Sequence, residues 1–416
     1  MKDFGKIFLK AKEETEIKQG FPWVFYNEIL YTKYKISSEV KQTEFGDCTI
    51  ADGSAVEVYA KDGGFLGSGI LNKKSKIAVR LISNLHCDEI FSDIKKFWEK
   101  KILDAANIRH LIYSPEDSYR LIFGEADLIP GLICERYVDE NKKIILVVQF
   151  LAMACDIFKD EIYSALKKVC KPDFIYERND ESVREKEGLS LTDGWVGKSY
   201  KNIITIVENG IKLNVDIVNG QKTGYFLDQK DNRLALREFC HGKRVLDTFT
   251  HTGAFGLNAA VAGAREVISV DISQDACDLV DQNIKLNGTE NVQKSVCADV
   301  FDLLKEYEKS GEKFDVIVLD PPAFTKSAKT IQKAYGGYKE INLRAMRLLN
   351  EGGILVTCSC SHFFDSQIFY DMLMHAAMDS HKKVQILQKR GAGPDHPVLL
   401  GYPKSEYLKC AICRVL

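Results

Sequence analysis

Towards the end of the chain, Ile354-Leu-Val-Thr-Cys-Ser-Cys-Ser-His362 reads as a strand that delivers two thiols, Cys358 and Cys360, to one end of a sheet. Alternate strand residues share a face, so the two point the same way until the strand turns into its loop. The chemistry open to an activated thiol is nucleophilic: its thiolate adds to an electron-poor carbon and later leaves. Most cysteines are instead small buried hydrophobes. The reading therefore depends on what stands beside Cys360.

Just upstream, Phe314-Asp-Val-Ile-Val-Leu-Asp-Pro-Pro-Ala-Phe324 is an apolar strand ending in Asp320, with Pro321 and Pro322 directly after it. The prolines fix the backbone and remove two donors, which leaves Asp320 and the carbonyls facing whatever sits at the strand end. Such a loop suits a planar base, with hydrogen bonds at its edge and Phe324 near its face. The plain alternative is a tight strand exit.

Three earlier segments fit an adenosyl ligand. Lys243-Arg-Val-Leu-Asp-Thr-Phe-Thr-His-Thr-Gly-Ala-Phe-Gly256 is a short strand ending in Asp247, then a loop with Gly253, then an Ala-rich helix. Glycine lets a ligand approach the backbone, and the helix start offers unpaired N–H groups. A dinucleotide loop is disfavoured because Gly-x-Gly-x-x-Gly is absent. Val267-Ile-Ser-Val-Asp-Ile-Ser273 ends a second strand in Asp271, placed to accept from both hydroxyls of a ribose; a helix cap at Asp271 or Ser273 is compatible with that. In Cys297-Ala-Asp-Val300, Asp299 is positioned for an adenine amine and Val300 for its face. The expected ligand site thus comprises Asp247, Thr248, Phe249, Thr252, Gly253, Asp271, Ile272, Ser273, Asp299, Val300, Asp320 and Pro321. A thiol beside such a site has a definite use. Its addition at C6 of cytosine makes C5 able to attack a methyl group, after which a base removes the C5 proton and the thiol is eliminated.

These loops need a sheet whose strands all end on one side. Beyond residue 199 strands and helices alternate as in a doubly wound parallel sheet, an α/β Rossmann-like domain expected over 199–416. Residues 1–82 hold short apolar runs separated by Gly and Asp, read as a small mostly β module, and 83–198 as an α+β middle domain. The cluster Lys73-Lys74-Ser75-Lys76 with Arg80 is either a phosphate contact or a solvated face.

With 416 residues the chain exceeds one hydrophobic core, and 45% hydrophobic with 28% charged residues suits a water-soluble protein. A net charge of -2 argues against whole-surface attraction to nucleic acid and leaves room for a basic patch. Twelve cysteines and no apolar leader point to reduced thiols and the cytoplasm. The apolar run 144–155 is too short to span a membrane and reads as a strand entering a helix. Cys410-Ala-Ile-Cys413 has no second pair to complete a zinc site, so no metal is expected.

Over its whole length the chain resembles bacterial large-subunit ribosomal RNA cytosine-5 methyltransferases with a PUA domain, a middle α+β domain and a class I methyltransferase domain. The likeness rests on Phe21-Pro-Trp-Val-Phe25, Ser118-Tyr-Arg-Leu-Ile122 with Asp127 and Pro130-Gly131, and Gly220-Gln-Lys-Thr-Gly-Tyr-Phe-Leu-Asp-Gln-Lys-Asp-Asn-Arg233, besides the elements above. It implies S-adenosylmethionine as methyl donor, with Tyr225, Phe226, Asp228 and Gln229 walling its site. It also implies Cys360 as nucleophile, Asp320 at N3 or the amine of the base, and large-subunit ribosomal RNA gripped by the PUA-like module. The pattern departs at Ala323, where lysine is common, at the extra thiol Cys358, and at His362. Oligomeric state stays open, a homodimer being one possibility. Competing expectations are N-methylation of a base by the Asp-Pro-Pro loop, and a non-catalytic RNA-binding or ribosome-assembly factor.

Overall fold

A computed structural model describes residues 4–36, 39–325 and 327–416. The chain divides into two units, one of residues 1–202, 217–225 and 394–405, the other of residues 203–216, 226–393 and 406–416.

The first unit carries two sheets. Seven strands pair in the order Trp23–Phe25, Ile77–Ser83, Phe65–Leu71, Ala55–Tyr59, Gly5–Leu9, Ile29–Ile36, Glu39–Thr43. All their pairings are antiparallel except that of Gly5–Leu9 with Ala55–Tyr59. Ile7, Leu9, Val24, Val56, Val58 and Val79 form the core of this module. A second sheet runs Thr192–Trp195, Phe174–Asn179, Ile144–Phe150, Leu132–Val138, Tyr119–Phe123. Helices Ile94–His110 and Lys159–Cys170 share its core through Trp98, Ile102, Ile162 and Leu166. The run 144–155 is a buried strand followed by the short helix Met153–Asp156, as its composition suggested.

In the second unit a hairpin, Ile203–Glu208 with Ile211–Asp216, precedes a seven-stranded sheet. Its order is Gln293–Cys297, Glu266–Asp271, Arg244–Thr248, Phe314–Leu319, Leu349–Ser359, Lys409–Val415, Val384–Arg390. The first five strands are parallel; Lys409–Val415 runs antiparallel to both its neighbours. Parallel strands must be buried on both faces, and their sequences allow it. Val245, Val316, Val318, Val356 and Cys358 enter one core with the helices Lys230–Leu236 and Ala254–Val261. Leu246, Ile317, Leu319 and Leu355 enter the other with Val300–Ser310, Ile331–Leu348 and Ser366–Asp379. Arg244–Thr248 and Phe314–Leu319 lie side by side although two strand–helix units separate them in the chain. The order reverses there, which is where open α/β sheets place ligands, beyond the carboxyl ends of the strands.

Candidate active site

Five parallel strands end on one edge and bring Asp247, Asp271, Asp299, Asp320 and Cys360 to it, each near the last residue of its strand or within two residues after it. Asp247 is 1% exposed. Its Oδ2 accepts from Thr250 Oγ1, from Gly256 N at 2.9 Å and from Ser269 Oγ at 3.3 Å. Burial pushes this carboxyl up to about 6 against those bonds. Its Oδ1 is buried and, among the described residues, has no partner.

The loop after Asp247 is tightly wound. Phe249, His251 and Gly253 all have positive φ, at 57, 53 and 80°. For the two non-glycine residues such a conformation costs about 1–3 kcal/mol each, and it persists only where surrounding contacts demand it. Those contacts are visible. Asp271 Oδ2 accepts from His251 N at 2.9 Å, Thr248 Oγ1 donates to Val318 O at 2.7 Å, and Asn283 Nδ2 donates to Thr252 O at 2.9 Å. Gly256 is needed for space: a Cβ there would stand 2.3 Å from Ser269 Oγ and 3.0 Å from Asp247 Oδ2.

Asp271 Oδ1 also accepts from Ser273 N, and Ser273 caps helix Gln274–Asn287 through Ala276 N, so cap and strand-end acid coexist. Ile272 beside them is 68% exposed. Asp299 is exposed and caps helix Val300–Ser310 through Phe301 N, whereas Val300 is buried in the core of that helix. Of the segment at 225–229, Tyr225 falls in the first unit and Phe226, Asp228 and Gln229 in the second. Phe226 stands edge-on to the His251 ring, 5.1 Å between centroids. Arg233, clamped on Glu208 at 2.6 and 2.8 Å, donates to the Phe226 carbonyl and so holds this segment.

Gln229 Nε2 donates to Asp320 Oδ1 at 2.9 Å while its Oε1 accepts from Asn232. Burial and then the neighbouring Asp228 drive Asp320 up to about 7, with Arg233 opposing. Pro321 is buried behind it. Phe324, expected at the face of a base, rests instead on Tyr338 at 4.5 Å and Phe301 at 5.9 Å, packed against the core of its helix layer.

The two thiols part company. Cys358 is fully buried, faces Cys410 opposite it in the strand pairing, and is held well above the usual thiol range by that neighbouring thiol and by burial. Cys360 lies just past the strand end and is partly accessible. Its turn is held from both sides, by Tyr338 Oη on Ser361 Oγ at 2.9 Å and by Lys409 Nζ on the Ser361 carbonyl at 2.7 Å.

A family model described as S-adenosylmethionine-dependent methyltransferase matches residues 189–400, and one for a PUA-like domain matches residues 7–84. Ribosomal RNA large subunit methyltransferase I of Photobacterium profundum is 39% identical over 98% of this chain and 99% of its own. The protein of that name from Klebsiella pneumoniae is 37% identical over 99% of each. The chain belongs to this methyltransferase family. A solved structure from Streptococcus mutans, assigned as a methyltransferase of the same donor, has the same fold at a TM-score of 0.79, with 22% identity over 98% of this chain and 99% of that one.

As a member of the family the protein uses S-adenosylmethionine. The residues present fit that donor: a buried acid with an unpartnered oxygen, a glycine cradle that a Cβ would fill, and an acid at the second strand end. Two contacts around these strand ends had no signal in the sequence. Lys409 is an ordinary strand lysine until the register sets it opposite Ser359, and Tyr407 reaches Asp228 across 179 positions of chain. Arg80, grouped in the sequence with a cluster that could be a phosphate contact or a solvated face, is neither: it is buried and paired with Glu125 and Glu187 at 2.8 and 3.0 Å. Cys410 and Cys413 are both buried in strand Lys409–Val415. Among the described residues no helix is long and apolar enough to cross a membrane.

Proposed function

We propose that the protein transfers a methyl group to C5 of a cytosine in large-subunit ribosomal RNA through a covalent bond between Cys360 and C6. The observation that carries this is the contrast between the two thiols: Cys358 is sealed and Cys360 is partly accessible at the edge that also carries Asp320. The relatives' name, ribosomal RNA large subunit methyltransferase I, and the PUA-like match support the substrate class. Bound S-adenosylmethionine supplies an electrophilic methyl on a sulfonium. Asp247, Thr248, Phe249, Thr252 and Gly253 would hold its amino-acid end, and Asp271, Ile272 and Ser273 its ribose. Asp299 and Val300 would face its adenine, and Phe226, Asp228, Gln229 and Pro321 would wall the pocket.

The target base leaves its stack and enters with its edge on Asp320. A carboxyl poised near neutrality can serve either edge group of the base. Protonated, it donates to N3; ionised, it accepts from the exocyclic amine. The Cys360 thiolate bonds to C6, and the displaced electron pair makes C5 nucleophilic. C5 takes the methyl, and its sulfonium bond breaks to leave the neutral thioether. A base removes the C5 proton, the C5–C6 double bond re-forms, and the thiolate departs.

The test is incubation with radiolabelled S-adenosylmethionine and unmodified large-subunit RNA, followed by nucleoside mass analysis. Label in 5-methylcytosine is expected, together with a protein–RNA adduct that requires Cys360. Label on a base nitrogen, undiminished in Cys360→Ala, would sink the proposal in favour of N-methylation. No donor binding at all would favour the non-catalytic reading.

A further inference from the structure

Lys409 begins its strand opposite Ser359 and is 5% exposed. Its Nζ donates to the Ser361 carbonyl at 2.7 Å and to the Tyr407 carbonyl at 2.6 Å. Among the described residues no carboxylate forms an ion pair with it, and the charges it feels are Cys360 first, then Asp365 and Glu406. Burial draws its ammonium down to about 8, still mostly protonated at neutral pH. A buried cation held only by neutral carbonyls is costly unless an anion completes it. The residue it grips directly follows Cys360. We propose that Lys409 is a positioning residue for Cys360, its ammonium being the counter-charge of the Cys360 thiolate and its bond to Ser361 fixing the turn that presents the sulfur.

This rests on Cys360 being the nucleophile. The thiol proton passes to solvent, Lys409 keeps its own protons, and no bond to the lysine forms. The other titratable groups around the turn are Tyr338, Asp365, Glu406, Asp320 and His362. Tyr338 is held neutral by burial, Asp365 and Glu406 carry the wrong sign, and Asp320 is at most an anion. His362 lies with its ring 5.4 Å from that of Tyr407. A rival anion for Lys409 is an RNA phosphate, because the lysine also lines an open cleft of about 500 Å³ with Lys389, Arg390 and Gln367.

The experiment is the pH dependence of Cys360 alkylation by iodoacetamide in the full-length protein, read by peptide mass spectrometry. A nearby cation lowers a thiol's midpoint by about one unit or more. Lys409→Met should therefore raise the midpoint by that amount, and Lys409→Arg should restore most of it; donor-binding calorimetry shows that each variant is folded. An unshifted midpoint in folded Lys409→Met overturns the proposal, and if RNA binding weakens at the same time the ammonium serves phosphate. Should Lys409→Met not fold, the reciprocal measurement decides. The NMR titration midpoint of the Lys409 ammonium should fall in Cys360→Ala, and an equal midpoint overturns the pairing. A shifted alkylation midpoint without 5-methylcytosine supports the pairing and discards the covalent reading; 5-methylcytosine with no shift discards the pairing alone.

Discussion

Cys360 and Asp320 follow neighbouring parallel strands, and their surroundings fit them for different roles. Cys360 sits at the partly open end, whereas the Asp320 carboxyl is desolvated and placed near Asp228. Replacing Cys360 by Ala should abolish 5-methylcytosine, by at least about a thousand-fold in turnover, with donor affinity unchanged by calorimetry. Asp320 makes a prediction about pH. A carboxyl whose folded-state pKa lies above its unfolded value binds its proton more tightly when folded, so it opposes folding increasingly as pH rises from about 4 through 7. Asp320→Asn should accordingly gain roughly 2–4 °C in Tm at pH 8.5 relative to wild type, and less at pH 5, by scanning calorimetry. The same variant should lose any inflection near pH 7 in RNA methylation, while the wild type keeps one.

At the scale of elements, the strand–loop–helix around Asp247 depends on close approach. The Gly256 Cα faces Ser269 and Asp247 across a space that a methyl group would fill. Gly256→Ala should therefore push the helix Ala254–Val261 from the strand end and weaken S-adenosylmethionine binding by about ten-fold or more, near 1.4 kcal/mol, measured by calorimetry. The hairpin Ile203–Glu208 with Ile211–Asp216 contributes through Glu208, which clamps Arg233 and with it the Phe226 carbonyl. Both ions are nearly buried. Removing the guanidinium in Arg233→Met should cost about 3–5 kcal/mol of unfolding free energy, read from urea denaturation, because a two-bond ion pair with the buried Glu208 carboxylate is broken.

For the whole molecule, the PUA-like match at residues 7–84 lies on a sheet with its own core. Of the basic cluster there, Arg80 is spent on internal ion pairs, while Lys74 and Lys76 are exposed. If they meet phosphate, reversing both to Glu should weaken RNA binding and flatten its log–log salt dependence by about one to two. Donor affinity should not change. Filter binding across a salt series checks this, and an unchanged slope removes these lysines from the RNA surface.

What the chain order alone determined was the set of strand ends. Apolar runs closing on Asp247, Asp271, Asp320 and the Ser-Cys-Ser turn are local patterns, and a parallel sheet must send such ends to one edge. The alternation of strands and helices beyond residue 199 was legible for the same reason, because periodicity is local. Tertiary structure alone decided which thiol is sealed, since Cys358 and Cys360 have the same local pattern and differ only in facing Cys410 or the loop. It also decided that Phe324 packs on Tyr338, that Arg80 is internal, and that Lys409 grips the Ser361 carbonyl in the turn after Cys360. Each of these is set by a partner distant in sequence, through strand register and side-chain packing that no local spacing encodes.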